Sequence, residues 1–473
     1  QGVSLEALRL VGSLFATVQY ELLLFALAGL LIGGLDDLAM DLLFIARAVA
    51  RRLFVYSVHP RMTAATLPAS AAPGTIAVFV PAWRESEVIG LMLRMCIARW
   101  QQGDFRIFVG AYPNDWPTID EVQAVTREDA RVHLVVLPHP GGTTKADCLN
   151  HIWAAMLREE ARGGAPFKAV VLHDAEDVVH ADEIRLFDLM IDRFDMVQLP
   201  VLPLLSQRSR WIAGHYADEF AEAHGKHLVL REAIGAAVPS AGVGCCFARG
   251  MLGTIAGDRG GVPFDADSLT EDYEIGLHIA ERNGRTAFVT MRDAAGGLIC
   301  TQEHFPETLP AAIRQKARWM AGISLSGWDR LGWRGSLRER WMRLHDRRAS
   351  LSALVLFAAY LATLGHGALM ALSLVGAAEP LRYPAFVETA LLATACLMLW
   401  RLTLRAICTG RTYGWGQGAR AVPRLFICNF IAMLAARRAV GLYIRQLAGS
   451  VANWEKTQHR FPLTGQNSAR TIG

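Results

Sequence analysis

The stretch AVVLHDAED (169–177) decides the fold class of this chain. A short apolar run leads directly into a cluster of acids, as in a buried strand that ends at a polar tip. Similar apolar runs occur at 75–82, 105–113, 132–140 and 196–202, and stretches with helical character separate them. Strands that alternate with helices predict an α/β domain with a mostly parallel sheet. In such sheets ligands bind at the carboxyl ends of the strands, where the polar residues of this chain fall.

The composition indicates that this domain is joined to membrane segments. Hydrophobic residues make up 52% of the 473 residues, and the mean hydropathy of +0.24 is high for a purely soluble enzyme. The net charge of +4 is too small to indicate a dedicated nucleic-acid-binding protein, so no nucleic-acid partner is expected. The eight cysteines include no C-x-x-C pair, and they predict neither a disulfide framework nor a zinc site.

The apolar runs lie on both sides of the α/β part. An N-terminal run centred on 22–35 is long enough to cross a bilayer, and an amphipathic stretch (36–54) follows it. The runs 349–378 and 385–400 have basic outer flanks, which predicts a hairpin through the membrane with both flanks in the cytoplasm.

A last apolar run (425–444) has Arg437 and Arg438 in its middle. Charge at the centre of a bilayer is costly, which favours an interfacial or re-entrant helix. A further full span is the alternative.

Two acidic motifs are candidates for chemistry. Asp174, Glu176 and Asp177 place three carboxylates within four residues, a repulsive arrangement that a hard divalent cation would relieve. The alternative is a solvated acidic turn before a helix. In TEDYEIG (270–276), Glu271 and Asp272 either begin a helix capped by Thr270 or supply a general base.

Three further stretches fit a nucleotide pocket. YPNDWPT (112–118) places Asp115 after a strand, and PHPGGTTKADCLN (138–150) leads from a glycine-rich turn into a helix with Lys145 in its first turn. QKARWM (315–320) groups an arginine suited to phosphate with a tryptophan suited to stacking on a sugar. The alternative for QKARWM is an amphipathic helix at the membrane interface.

The order of these motifs resembles the membrane-embedded, processive family 2 glycosyltransferases, the group of cellulose, chitin and hyaluronan synthases. That group has an early Asp, a D-x-D, a T/E-E-D and a Q-x-x-R-W. The corresponding residues here are Asp115, Asp174 with Glu176, Thr270-Glu271-Asp272, and Gln315 with Arg318 and Trp319.

Other stretches extend this resemblance. PAWRESEVI (81–89) is similar to the P-x-x-N-E stretch, with Arg84 where Asn is usual, and NWEKTQH (453–459) is similar to the W-x-x-T gating segment. LHDAEDVVH, GVGCCFARG and WEKTQH resemble most closely the bacterial phage-adsorption protein B type of glycosyltransferase. The second carboxylate of D-x-D is Glu176, so Asp177 is an alternative metal ligand.

The resemblance implies a GT-A-like, mostly parallel α/β domain inserted between transmembrane helices. It implies these segments: 1–56, a transmembrane and an amphipathic helix; 57–74, a linker; 75–304, the cytoplasmic GT-A domain; 305–346, interfacial helices with Q-x-x-R-W; 347–450, transmembrane or interfacial helices; 451–473, a gating-like segment and tail.

The resemblance also implies a division of roles. Asp174, Glu176 and Asp177 would hold Mg or Mn, and Asp272, with Glu271 beside it, would act as the base. The remaining site residues would contact the substrates: Asp115, Lys145, Gln315, Arg318, Trp319, Trp454 and Thr457.

The expected function is therefore inverting, metal-dependent transfer of sugar from a UDP-sugar to a growing polysaccharide. The expected location is the bacterial inner (plasma) membrane, with several spans, a cytoplasmic catalytic domain, surrounding membrane lipids and coupling to envelope export partners. The alternatives are a non-catalytic scaffold or receptor-assembly component, and a transferase that adds a single sugar to a lipid-linked acceptor.

Overall fold

The computed structural model describes residues 5–376 and 378–449. Its strands are β1 (Ile76–Pro81), β2 (Phe105–Ala111), β3 (Val132–Val136), β4 (Ala169–Leu172), β5 (Met196–Gln198), β6 (Val201–Pro203), β7 (Cys245–Ala248), β8 (Thr286–Phe288) and β9 (Thr301–Glu303). Its helices are α1 (Leu5–Ala50), α2 (Ile89–Arg99), α3 (Trp116–Glu128), α4 (Lys145–Ala161), α5 (Glu183–Met190), α6 (Ile212–Glu222), α7 (Leu228–Ala233), α8 (Arg249–Asp258), α9 (Glu271–Glu281), α10 (Leu309–Trp319), α11 (Gly327–Leu331), α12 (Leu337–Arg347), α13 (Ala349–Leu374), α14 (Ala385–Tyr413) and α15 (Trp415–Leu447). Shorter turns are the π-helical segments Arg51–Val55, Ala223–His227 and Met320–Ser326 and the 3-10 turn Ala64–Thr66.

The main sheet has seven strands in the order β3-β2-β1-β4-β7-β5-β8. Strand β7 runs antiparallel to both of its neighbours, and the other neighbouring pairs are parallel. Every residue of β1 and β4 is buried, as expected for strands covered on both faces. The predicted mostly parallel α/β sheet is confirmed.

A second sheet pairs β6 with β9 in parallel. The apolar run at 196–202 is divided between the two sheets at Pro200, which has no N–H to continue the ladder. The Pro200 carbonyl accepts a hydrogen bond from the Thr301 N–H, so the chain passes from one sheet to the other without leaving this carbonyl unpaired.

The hydrophobic core lies on the two faces of the main sheet. Val78 and Val80 pack on one face, and Ala77 and Phe79 pack on the other, because side chains alternate along a strand. The parallel strands β1, β2 and β4 end at one edge of the sheet. The segments that carry Arg84, Asp115 and Asp174 begin at this edge.

Four helices in the described part of the chain are long and apolar enough to cross a membrane, namely α1, α13, α14 and α15. Helix α1, which the π-helical segment Arg51–Val55 continues, covers the predicted N-terminal span and the amphipathic stretch. Its acids attach it to the rest of the protein: Asp36 accepts a hydrogen bond from the Trp341 indole, and Asp41 accepts one from Lys226.

Helix α15 packs along helices of the α/β part. Arg424 donates to the Gly214 carbonyl in α6. Ala435 and Ala439 of α15 pack in one buried cluster with Ala317 and Ala321. The opposite face of α15 exposes apolar side chains, among them those of Phe426 and Phe430. Whether α15 lies in the interface or spans the bilayer stays a prediction.

Candidate active site

Lys145 is the residue on which the acidic motifs converge. It is the first residue of α4, whose N-cap Thr144 accepts a hydrogen bond from the Asp147 N–H. The Lys145 Nζ lies 2.5 Å from Asp174 Oδ1. Burial disfavours the charge on Lys145, but Asp174, Glu271 and Asp272 outweigh this and raise the pKa of Lys145. Two segments that are distant in sequence thus place carboxylates around the ammonium group of a third.

Glu271 and Asp272 lie in the first turn of α9. Burial raises the pKa of both carboxyl groups, and the charge of Asp272 raises the pKa of Glu271 further. Lys145 and Arg318 act in the opposite direction on both groups. The structure therefore brings Arg318 of α10 to the same place. A carboxylate with a raised pKa that is held beside cations is suited to accept a proton near neutral pH.

The start of α9 is fixed by contacts on several sides. Ser268 Oγ accepts from the Thr270 N–H and donates to Glu274 Oε1 at 2.7 Å. The Arg330 guanidinium holds the same Glu274 carboxylate at 2.8 Å. Gly242, with φ of +81°, lies so close that a Cβ there would collide with the Asp272 carboxylate. Glycine is required at position 242 both by its backbone and by this approach.

The acidic tip of β4 contains a second, buried group of charges. His173 Nδ1 lies 2.8 Å from Asp177 Oδ2, and His173 Nε2 lies 2.7 Å from Glu183 Oε1. Burial opposes the charge on His173, but Glu183 and Asp177 raise the pKa of His173 to about 10. Asp177 Oδ2 also accepts from the Asp174 N–H at 3.0 Å. Asp177, a predicted metal ligand, is fully buried and has this oxygen engaged inside the protein.

Glu303 is a site residue that the sequence analysis missed. Val178 and Gln302 exchange two backbone hydrogen bonds, of 2.8 and 3.0 Å, which sets the end of β9 beside the acidic tip. Burial, Asp177, Asp174 and Glu176 raise the pKa of Glu303 well above its ordinary value. The sequence signal that could have identified Glu303 is its position as an acid at the end of the short run CTQE (300–303).

The acids around Glu303 crowd negative charge into one region. Glu176 is 4% exposed, whereas the Asp174 side chain is 29% exposed. Closely spaced carboxylate oxygens of this kind fit a hard divalent cation.

Asp115 holds the turn that follows β1. Its Oδ2 accepts a hydrogen bond of 2.6 Å from the Arg84 N–H, and Asp115 is 5% exposed. Arg84 has φ of +58°, in the left-handed region where asparagine is tolerated better than most residues. This backbone conformation gives a physical reason why asparagine is usual at this position in the P-x-x-N-E stretch that PAWRESEVI resembles.

The Q-x-x-R-W residues lie at the end of α10. Gln315 Oε1 is buried and has no hydrogen-bond partner among the described residues. Trp319 is half-buried and packs near Tyr216 and Phe305, with ring centroids 6.1 and 6.4 Å away. Trp454 and Thr457 lie outside the described residues.

Comparisons with known proteins agree with this architecture. The family described as "Glycosyltransferase like family 2" matches residues 73–322, more than half of the chain. Bacteriophage adsorption protein B of Escherichia coli (strain K12) is 35% identical over 97% of this chain and 65% of its own length. Bacteriophage N4 adsorption protein B of Escherichia coli O157:H7 gives the same values. The chain thus spans about 65% of the length of these relatives.

A solved structure shares the fold. It is the mannosyltransferase PcManGT from Pyrobaculum calidifontis in complex with GDP-Man and Mn2+. The TM-score is 0.52 at 14% identity, and the match covers 89% of this chain and 99% of that one. Together with the mostly parallel sheet, this likeness shows the predicted GT-A-like fold.

Proposed function

Because the chain belongs to glycosyltransferase family 2, we propose that it transfers a sugar from a nucleotide-sugar donor, a UDP-sugar, to a carbohydrate acceptor. One observation carries this proposal: Lys145 Nζ lies 2.5 Å from Asp174 Oδ1, and the charges of Glu271 and Asp272, which belong to a second motif, act on the same ammonium group. Family membership explains why these motifs occur in one chain. Their convergence explains how one substrate could touch all of them.

The donor side of the proposed site is formed at the edge of the sheet. Lys145 and Arg318 are cations beside the acidic tip, and they would bind the diphosphate. Gln315 would join them by donating from its side-chain NH2 group to a phosphate oxygen. Asp115 would contact the nucleoside, next to the turn that it holds at Arg84.

Asp174 and Glu176 would hold Mg or Mn, because carboxylate oxygens suit hard cations and four acids, Glu303 among them, lie close together. Such an ion, when bound, stabilises the charge that develops on the leaving diphosphate. Asp177 Oδ2 orients the Asp174 backbone by accepting from its N–H, and Asp177 Oδ1, which is buried and has no hydrogen-bond partner among the described residues, would be the oxygen available to the ion.

Asp272 would take the proton of the acceptor hydroxyl as that hydroxyl attacks the anomeric carbon. The C1–oxygen bond to the acceptor forms while the C1–oxygen bond to the diphosphate breaks, and the configuration inverts. Burial and the neighbouring Glu271 keep the proton affinity of this pair high, and Lys145 and Arg318 limit the rise. Trp319 would stack on the acceptor sugar.

We propose a growing polysaccharide as the acceptor and export across the bacterial inner membrane as the outcome. The four long apolar helices support a membrane location. The catalytic domain would lie on the cytoplasmic side. Trp454 and Thr457 would belong to a gating segment at the pocket.

A second candidate is a non-catalytic scaffold or receptor-assembly component. The names of the two relatives, which refer to phage adsorption, favour it. A transferase that adds one sugar to a lipid-linked acceptor is a third candidate. Electrophoresis of the product separates it from a polymerase by size.

The test is release of UDP by the purified chain in lipid nanodiscs, supplied with a panel of UDP-sugars and Mg2+ or Mn2+. The proposed function requires release with at least one donor and its loss in Asp272→Asn. Absence of release with every donor, together with an unchanged cellular phenotype in Asp272→Asn, would support the scaffold.

A further inference from the structure

A cluster of two histidines and one aspartate lies at the start of α4, on the outer side of the loop that leads to Lys145. One ring nitrogen of His139, one of His151 and one carboxylate oxygen of Asp147 all lie within 4.8 Å of one another. His139 Nε2, the nitrogen with the free lone pair, is 3.4 Å from Asp147 Oδ2. Asp147 and His151 share one face of α4 because they are four residues apart.

Neighbouring groups orient all three side chains. The Thr143 hydroxyl donates to Asp147 Oδ2 at 2.7 Å and positions the carboxylate. His151 Nδ1 lies 2.9 Å from the Asp147 backbone carbonyl, and His139 Nδ1 lies 3.4 Å from the Pro140 carbonyl. A carbonyl oxygen only accepts, so these contacts place the ring hydrogen on Nδ1 and leave the lone pair on Nε2. Metal-binding histidines are typically held by such a hydrogen bond from their other ring nitrogen.

We propose that His139, Asp147 and His151 form a binding site for a zinc-like transition-metal ion, separate from the donor site. Two imidazoles and one carboxylate suit Zn2+, whereas Mg2+ and Mn2+ prefer sites built from oxygen. Three protein ligands leave the fourth tetrahedral position to water, and these side chains are 24–38% exposed, so solvent has access. Bonds of about 2.0 Å place tetrahedral ligand atoms about 3.3 Å apart, so binding would draw the three side chains together from separations of up to 4.8 Å.

The ion would connect the loop before α4 to the helix itself. His139 lies before the glycine-rich turn, and Asp147 and His151 lie after it. Lys145, which contacts Asp174, belongs to the segment that is closed in this way. Bound zinc would therefore restrain the loop that carries Lys145. The site stands independently of the proposed sugar transfer.

The test is titration of the detergent-purified chain, prepared without a histidine tag, with Zn2+ against a chromophoric chelator in excess Mg2+. We expect one Zn2+ per chain in this competition. His139→Ala and His151→Ala should each weaken binding at least about tenfold, since even outer partners of metal ligands are worth about 10–100-fold. The exposed His59→Ala is the matched control and should bind as the parent does.

Further measurements keep the result interpretable. Asp174→Asn should keep the zinc affinity, which separates this site from the donor site. Co2+ added to the parent chain should give the visible absorption bands of a tetrahedral site, a readout that does not depend on any variant folding. Equal zinc affinity in the parent and in a folded His139→Ala/His151→Ala variant, or no zinc binding by the parent, would overturn the proposal and leave a plain histidine–aspartate hydrogen-bond network.

Discussion

The acidic run HDAED (173–177) divides into two regions with different environments. His173 and Asp177 are fully buried and, with Glu183, form a closed group of charges. Asp174, between them in sequence, points its carboxylate to Lys145 and keeps a 29% exposed side chain. In one region two buried carboxylates share one histidine, and in the other a partly exposed carboxylate contacts a lysine. Acids that are close together in one loop can therefore have different environments.

The difference matters because the two regions should respond differently to substitution. Removing one partner of a buried ion pair leaves the other charge buried and unpaired, which lowers the free energy of unfolding. Removing a half-exposed charge that faces a substrate pocket changes binding or rate with little cost in stability. The predictions below separate these two outcomes.

The largest effect is expected for Asp272→Asn. An amide cannot accept the proton of the acceptor hydroxyl, so the rate of sugar transfer should fall by about 10²–10⁴-fold. The melting temperature should stay close to that of the parent. UDP release measures the rate, and the exposed Asp267→Asn, a few residues earlier, is the control. Transfer at the parental rate in Asp272→Asn would remove Asp272 as the base.

The next effect concerns stability. In His173→Gln, the buried Asp177 and Glu183 lose their shared cation, and the free energy of unfolding should fall by about 3–5 kcal/mol. Denaturant unfolding of the detergent-solubilised chain measures it. His278→Gln, in which the lost partner is the partly exposed Glu281, should cost far less. If His173→Gln and His278→Gln lower the free energy of unfolding by the same small amount, the buried group of His173, Asp177 and Glu183 does not stabilise the fold.

The stabilising effect of His173 should also depend on pH. Its pKa is raised from 6.5 to about 10 in the folded protein. A group whose folded pKa is raised contributes its full stability below the unfolded pKa and loses it as the pH rises through the folded value. The stability difference between the parent and His173→Gln should therefore be largest near pH 6 and shrink towards pH 10. Unfolding curves across this range measure the difference. A stability difference that grows with pH would contradict the raised pKa of His173.

A smaller effect is expected for Lys145→Met. Lys145 lowers the pKa of Glu271 and Asp272, so its loss should raise both values further. A base must be deprotonated to act, and the acid limb of the pH–rate profile should move to higher pH by about 1–3 units. Lys145→Arg keeps the charge and should leave the limb in place. If the acid limb of the pH–rate profile stays in place in Lys145→Met, Lys145 does not influence the pKa of the catalytic base.

The smallest effect is expected for Glu303→Gln. Asp174 and Glu176 help to raise the pKa of Glu303, so a bound cation would favour the charged form of Glu303 and gain from its negative charge. Its loss should raise the Mn2+ concentration needed for half-maximal activity by up to about fivefold, the size of a ~1 kcal/mol contribution from a partly exposed charge. The exposed Glu307→Gln should not alter the Mn2+ requirement. A large loss of rate at saturating Mn2+ would instead assign Glu303 to the chemistry.

The sequence predicts the sheet well because its central strands are continuous apolar runs bounded by polar turns. The short strands β7, β8 and β9 are harder to recognise, since β8 and β9 have only three residues each. The antiparallel direction of β7 depends on its partners β4 and β5, which local sequence does not show.

The motif order also points to the candidate site, but it cannot assign each acid to an environment. Asp174 and Asp177 are alike in sequence, and only the positions of His173 and Lys145 distinguish them. Glu303 approaches the site through the pairing of Val178 with Gln302, more than a hundred residues apart. Contacts of this kind depend on the tertiary fold and are absent from any local pattern.

The most direct measurement is a cryo-electron microscopy structure of the chain in nanodiscs with UDP and Mn2+. We expect the diphosphate to contact Lys145, the ion to be bound by Asp174 and Glu176, and Asp272 to face the position of the transferred sugar. A nucleotide bound elsewhere, with Asp272 and Asp174 in separate cavities, would contradict this expectation.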